Sequence, residues 1–329
     1  WMSPAEFMQA FAVGQAAPGP NMLVTTLIGF HVAGLAGALV ALAAMCGPAA
    51  VLAWFVQHER RSDHPSLDVR LFKVPRFSAP VAIVGGASKG LGRACADVLA
   101  QEGAKVAICS RTKADLEQAA KEIRDTTGAE VLVFAGDLDQ YETIRDLIAT
   151  TVNRFGRLDI LVNNAGYVFD RKLWYKKFHE VADDEFGRVV EVDLKGSVRI
   201  SQAVISSMLK RDRGGVIISV SSTPVISGYT EGAPYTVAKA GIIAMTKHIA
   251  LEYGGRNIRA YALALGNIAT DATFKSMTAS EKKKAAMENA MKRWGTPKEV
   301  ARVAASIASD DFSFATGNTI VVDGGTVLL

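Results

Sequence analysis

The first part of the chain lacks charge. From Phe7 to His58 there is no Asp, Glu, Lys or Arg, whereas charges of both signs are interspersed from Glu59 onward. Such a stretch has no solvated face, which excludes an ordinary surface segment and points to a lipid-facing or deeply buried one. Cysteine is scarce: Cys46, Cys95 and Cys109 are odd in number and form no CxxC pair. A disulfide framework is thereby excluded, and a reducing compartment fits. The five histidines are scattered, without HExxH or comparable ligand spacing, so no metal is expected. A strong charge excess is also missing, the net charge being +4. The densest basic run, Lys282-Lys283-Lys284, sits in an amphipathic stretch and reads as a solvated helix face, so no nucleic-acid partner is expected.

What the opening segment does contain is Ala, Gly, Leu and Val. Val32 to Val56 is an uncharged run, long enough for one membrane span of about 20 residues. Phe7 to Phe30 is a second apolar run, interrupted by Pro18-Gly19-Pro20. Broken or re-entrant helices of this kind persist in membranes where protein covers the freed backbone groups. No basic region precedes the run, which argues against a secretory signal. Arg60, Arg61, Arg70, Lys73 and Arg76 follow it and put that end at the cytoplasm. The chain opens on Trp1 rather than Met, which reads as part of a longer or processed product. The expected organisation is an apolar helical segment over 1–57, a linker over 58–79 and one α/β domain over 80–329. Membrane association would run through residues 7–56, with the globular domain in the cytoplasm.

From Pro80 strands and helices alternate. Val81-Ala82-Ile83-Val84 is a continuous apolar run, as a strand buried on both faces requires. Further strands are expected over Lys105–Cys109, Val131–Phe134, Leu158–Val162, Val216–Val220, Ile258–Leu263 and Thr319–Val322, with helices over Gly90–Glu102 and Lys113–Thr126. This order predicts a Rossmann-like, doubly wound, seven-stranded parallel sheet.

Chemistry-bearing motifs fall at the strand ends. The first strand runs into Gly85-Gly86-Ala87-Ser88-Lys89-Gly90-Leu91-Gly92. Glycines there permit a tight turn and let backbone N–H groups approach a pyrophosphate at a helix N-terminus. Asn163-Asn164-Ala165-Gly166 ends the fourth strand. Tyr235 and Lys239 stand four apart and share a helix face, so phenol and ammonium can point into one cleft. A free phenol titrates near about 10. Proton exchange near neutrality therefore needs its anion stabilised, which a fixed ammonium supplies. Ser222, at the end of the fifth strand, can donate to a substrate carbonyl oxygen.

Together these motifs, in this order, resemble the short-chain dehydrogenase/reductase family, and 3-oxoacyl-(acyl carrier protein) reductases within it, over residues 80–329. The resemblance implies an oxidoreductase that interconverts a carbonyl and a secondary alcohol with a nicotinamide cofactor. It implies that Tyr235 is the general acid/base, Ser222 orients the carbonyl, and Lys239 binds the nicotinamide ribose. It assigns Gly86, Gly90 and Gly92 to the cofactor phosphates and counts Ser88, Lys89 and Leu91 among the cofactor-binding residues. Asp137 and Leu138 fall on the adenine side, Asn163, Ala165 and Gly166 on the adenosine ribose side, and Ile268 and Thr270 at the carboxamide. Its substrates are small carbonyl compounds or acyl-carrier-linked ones, including sugar- and steroid-like molecules, and its members form homodimers or homotetramers. The opening segment, through Phe11-Ala12-Val13-Gly14-Gln15-Ala16-Ala17-Pro18-Gly19-Pro20-Asn21 and Gly29-Phe30-His31-Val32-Ala33-Gly34, resembles part of a chromate transporter. That implies a transporter fragment joined to an enzyme.

Two departures from the family pattern stand out. Asp193 occupies a catalytic position usually held by Asn, and Leu265-Gly266 replaces the usual Pro-Gly. The stretch from Tyr167 to Asp183 is longer than usual and is expected to reshape the mouth of the cleft, while Asp271 to Trp294 has the position of a substrate lid. Cofactor choice follows from charge. No acid lies between Cys109 and Thr112 to bind a ribose hydroxyl of NAD, whereas Arg111 and Lys89 suit a phosphate. NADP(H) is therefore expected over NAD(H).

Overall fold

The strand Val81–Gly85 (β1) is buried along its whole length, at the centre of a seven-stranded sheet. The architecture comes from a computed structural model, which describes residues 77, 79–167, 169–275 and 277–328. The expected apolar segment and nearly all of the expected linker lie outside the described residues. The remaining strands are β2 (Lys105–Ser110), β3 (Val131–Ala135), β4 (Ile160–Asn163), β5 (Gly215–Ser222), β6 (Ile258–Leu265) and β7 (Thr319–Val322). Their order is β3-β2-β1-β4-β5-β6-β7, and every pairing is parallel. The expected sheet is therefore present. Several strands run one or two residues further at their C-terminal ends than the apolar runs suggest, because small polar residues such as Ser222 still pair, here with Leu265.

Alternation along β1 divides the core. Ala82 and Val84 face one apolar cluster and Ile83 the other, as the two-residue period of a strand dictates. On the first face lie α1 (Gly90–Gln101), α2 (Lys113–Thr127) and the helix Pro297–Ala308. On the second lie α3 (Tyr141–Phe155), the helix Gly196–Leu209 and the long helix Ala233–Tyr253. Among the described residues no helix is long and apolar enough to cross a membrane.

The chain direction of winding reverses between β1 and β4, which are neighbours in the sheet. In doubly wound sheets the crevice beyond the strand ends at such a reversal is where ligands bind. The glycine loop leaves β1 there, and Asn163-Asn164-Ala165-Gly166 leaves β4 beside it.

The far edge is held by a buried cation. Arg259 of β6 is 8% exposed. Its Nη1 donates to the carbonyls of Ile307 (3.0 Å) and Phe312 (2.9 Å), and its Nη2 to those of Ala308 (3.3 Å) and Ser309 (3.0 Å). Carbonyls at a helix C-terminus lack intrahelical donors, and the guanidinium supplies them for Pro297–Ala308.

Candidate active site

The glycine loop is shaped by close contact. A Cβ on Gly92 would stand 2.3 Å from the Gly86 carbonyl oxygen, so no side chain fits there. Gly90 has φ +61°, and a Cβ there would meet nothing nearer than Thr270 at 3.8 Å. It would project into open space between the loop and Thr270, which is the kind of cradle a phosphate group fills. The Asn164 side chain ties the loop down by donating to the carbonyls of Gly85 (3.2 Å) and Gly86 (3.3 Å). The backbone of Ala87 is anchored on the other side to Cys109 of β2 at 3.1 Å.

Tyr235 and Lys239 lie in the first turns of the helix Ala233–Tyr253, which starts after Gly232 with Pro234 near its head. Their spacing brings the Lys239 ammonium to 5.5 Å from the centre of the Tyr235 ring. Lys239 is 6% exposed, and its Nζ lies 3.7 Å from Oδ1 of Asp193. Asp193 is 1% exposed and comes from a π-helical turn, Glu191–Lys195, a local form frequent at functional sites. Oδ1 also accepts from the Tyr167 backbone N–H at 2.7 Å, while Oδ2 is buried without a hydrogen-bond partner. Gly166 leaves room for this carboxylate, since a Cβ there would stand 2.6 Å from Oδ1.

Ser222 and Tyr235 line one cleft of about 390 Å³ together with Leu91, Ile268 and Thr270. The Ser222 hydroxyl reaches only the Leu265 carbonyl, at 3.5 Å, a distance at which a hydrogen bond is weak and the hydroxyl can turn to a better acceptor. Thr223 holds the same carbonyl more firmly through its N–H (3.0 Å) and hydroxyl (3.2 Å). Thr270 Oγ1 pairs with Thr273 Oγ1 at 2.8 Å, and Ile268 bridges to Gly295.

On the opposite side of the glycine loop, Leu138, Asn163 and Ala165 meet Gly85 around a cavity of about 30 Å³. The Asn163 amide itself faces inward, donating to Ser201 Oγ (3.0 Å) and Ser219 Oγ (3.1 Å). The Asp137 side chain accepts from the Asp139 N–H at 3.1 Å. Burial and the nearby Asp137 charge push the Asp139 carboxyl above its ordinary range, against a smaller opposing pull from Arg111. Arg111 is exposed. Lys89 is exposed too and sits 3.5 Å from Asp115, so each cation has an acidic neighbour. Among the described residues no cluster of His, Cys, Asp and Glu could hold a metal ion.

Residues 86–327 match the family model described as enoyl-(acyl carrier protein) reductase. The chain belongs to the short-chain dehydrogenase/reductase family. It is an oxidoreductase acting on CH–OH groups. It is 36% identical over 253 residues to the 3-oxoacyl-(acyl-carrier-protein) reductase FabG of Thermotoga maritima, a match covering 77% of this chain and 100% of that protein. Glucose 1-dehydrogenase 2 of Bacillus subtilis is 31% identical, over 77% of this chain and 96% of that one. A crystal structure of a candidate gluconate dehydrogenase from Agrobacterium tumefaciens superposes with a TM-score of 0.71 at 29% identity, covering 78% of this chain and 100% of that one. Residues 1–109 match a chromate transporter family model, so residues 86–109 fall within both matches.

The structure also brings in residues that the motifs do not announce. Asn164 pins the loop, Tyr167 binds Asp193 through its backbone, and Trp174 packs at a tilt of 58° against Tyr235 with ring centres 5.6 Å apart. Only the unusual length of the Tyr167–Asp183 stretch signals that something is added at the mouth of the cleft.

Proposed function

We propose that this protein is an NADP(H)-dependent oxidoreductase that interconverts a carbonyl and a secondary alcohol, with Tyr235 as general acid/base. The observation that carries this is the meeting of Ser222 and Tyr235 in one cleft beside the glycine loop, with the buried Lys239 ammonium 5.5 Å from the Tyr235 ring. When bound, the nicotinamide dinucleotide supplies or accepts the hydride. Ser222 donates a hydrogen bond to the substrate carbonyl oxygen and fixes its orientation. Tyr235 gives its hydroxyl proton to that oxygen as the carbonyl carbon is reduced, leaving a phenolate that Lys239 stabilises and solvent reprotonates. In the oxidative direction the phenolate takes the alcohol proton.

The loop Gly86–Gly92, including Ser88, Lys89 and Leu91, would cradle the phosphates, which fits the open space at Gly90. Asp137, Leu138, Ala165 and Gly166 would hold the adenosine side, Asn163 only through its backbone because its amide faces Ser201 and Ser219, and Ile268 and Thr270 would hold the carboxamide. Lys89 and Arg111 would meet the phosphate that distinguishes NADP. The test is absorbance-monitored turnover of a panel of ketones with NADPH and NADH. A preference for NADPH supports the assignment, and a preference for NADH contradicts it.

We further propose that residues 1–57 are a transporter-derived segment, 58–79 a linker and 80–329 the enzyme, which would form symmetric homo-oligomers. The transporter match supports a transporter-derived start of the chain, and it runs past residue 57 to residue 109. A chain shortened to residues 80–329 is expected to keep full reductase activity, and loss of activity would mean that the first segment belongs to the enzyme.

A further inference from the structure

The cleft has an aromatic wall whose composition restricts the substrate. Trp174 stands at its centre, with Phe169 at 5.6 Å, Tyr235 at 5.6 Å and Tyr229 at 6.2 Å between ring centres. This wall is not a filled core, because Phe169 is 49% and Tyr229 53% exposed. Trp294 lines the same cleft and is fixed edge-on to Phe274 at 5.0 Å. Among the described residues lining the cleft, Glu288 alone bears a charge, and no cation is present. Its Oε2 accepts from Asn267 Nδ2 at 3.0 Å, so the carboxylate is held in place. Burial, then the charges of Glu231 and Glu288, push the Tyr229 phenol up to about 12, so it remains a neutral hydroxyl.

We propose that the substrate is an uncharged, ring-bearing carbonyl or secondary alcohol that stacks on Trp174 and carries a hydroxyl donated to Glu288. This rests on the reductase reading above and narrows it. Aromatic faces attract the weakly positive C–H edges of a saturated or aromatic ring. A flexible open chain gains less from that wall and loses more rotamer freedom on binding. A substrate carrying carboxylate or phosphate would find no cation along the cleft wall and would meet Glu288 instead.

The test compares a hydroxycyclohexanone with an open-chain 3-oxoacyl thioester, both at saturating NADPH, using the full-length chain. The ring substrate is expected to have the higher kcat/KM. Trp174→Ala, and separately Tyr229→Ala at its half-exposed site, are expected to raise KM for the ring ketone about three- to tenfold, with NADPH binding unchanged. Glu288→Gln is expected to weaken the hydroxylated ring more than cyclohexanone itself. A thioester turned over as well as the ring ketone, or an unchanged KM in both aromatic variants, overturns the inference while leaving the reductase reading intact. Absence of turnover with either substrate in folded, NADPH-binding protein contradicts that reading and the inference together.

Discussion

The Lys239 ammonium and the Asp193 carboxylate form a buried pair 3.7 Å apart, their side chains 7% and 1% exposed. Removing one partner of such a pair leaves an uncompensated buried charge, which costs about 3–5 kcal/mol. Asp193→Ala should therefore lower stability by about that amount in urea unfolding. Asp193→Asn keeps the shape and an oxygen for the Tyr167 N–H, and it restores the residue usual in the family. Its turnover should equal or exceed that of the parent. A collapse of activity in Asp193→Asn would show that the carboxylate takes part in the reaction itself.

Cofactor preference should reside in two exposed cations. Lys89→Ala and Arg111→Ala should each raise KM for NADPH roughly tenfold, the worth of one charge-assisted hydrogen bond, with little effect on NADH. Steady-state kinetics with both cofactors decides it. Equal effects on the two cofactors would remove the phosphate contact from the account.

The thiols give a pH dependence. Burial pushes Cys95 up to about 12, and burial followed by the Asp137 charge does the same for Cys109. A thiol whose titration is raised in the folded state contributes stability fully present below its unfolded value. That stability is lost as pH climbs from about 9 toward 12. Both cysteines should resist a thiolate-selective reagent at pH 8 in the native protein and react fully once it is unfolded. Peptide mapping of the labelled protein checks this; rapid native labelling of either would contradict their burial.

Arg259 predicts a structural loss without a chemical one. Arg259→Met would strip donors from four carbonyls around the end of Pro297–Ala308. An unsatisfied buried polar group costs about 1–3 kcal/mol, and the loss falls on Ile307 and Ala308, because the Ser309 and Phe312 carbonyls keep the Phe312 and Ala315 N–H donors. A fall of about 3 kcal/mol in unfolding free energy is expected, with cofactor affinity of the folded protein unchanged.

The parallel sheet was legible in the sequence because β1, β2 and β6 are near-continuous apolar runs, a pattern that strands covered on both faces impose. The positions of Tyr235, Lys239 and Ser222 were legible for a similar reason: their spacing depends on one helix and one strand end. Contacts set by chain folding were not. Nothing local marks Asn164 as the residue that binds the glycine loop, or turns the Asn163 amide toward Ser201 and Ser219. Trp174 sits in a short helix, Arg171–Trp174, whose four residues carry no periodic signal. The Asp271–Trp294 stretch resolves into the helices Asp271–Lys275 and Ala279–Met287. The second is capped by Thr278, whose side chain accepts from Glu281 N while Glu281 accepts in return.

The central claim is that Tyr235 moves the proton. Its most direct test is the turnover of Tyr235→Phe with NADPH and a ketone that the parent enzyme reduces. Cofactor affinity, followed by fluorescence, should be unchanged, because the ring and its packing on Trp174 remain. Turnover should fall by about 10²–10⁴, the worth of a positioned acid. A variant that binds NADPH and retains most of the parent's turnover would contradict the account.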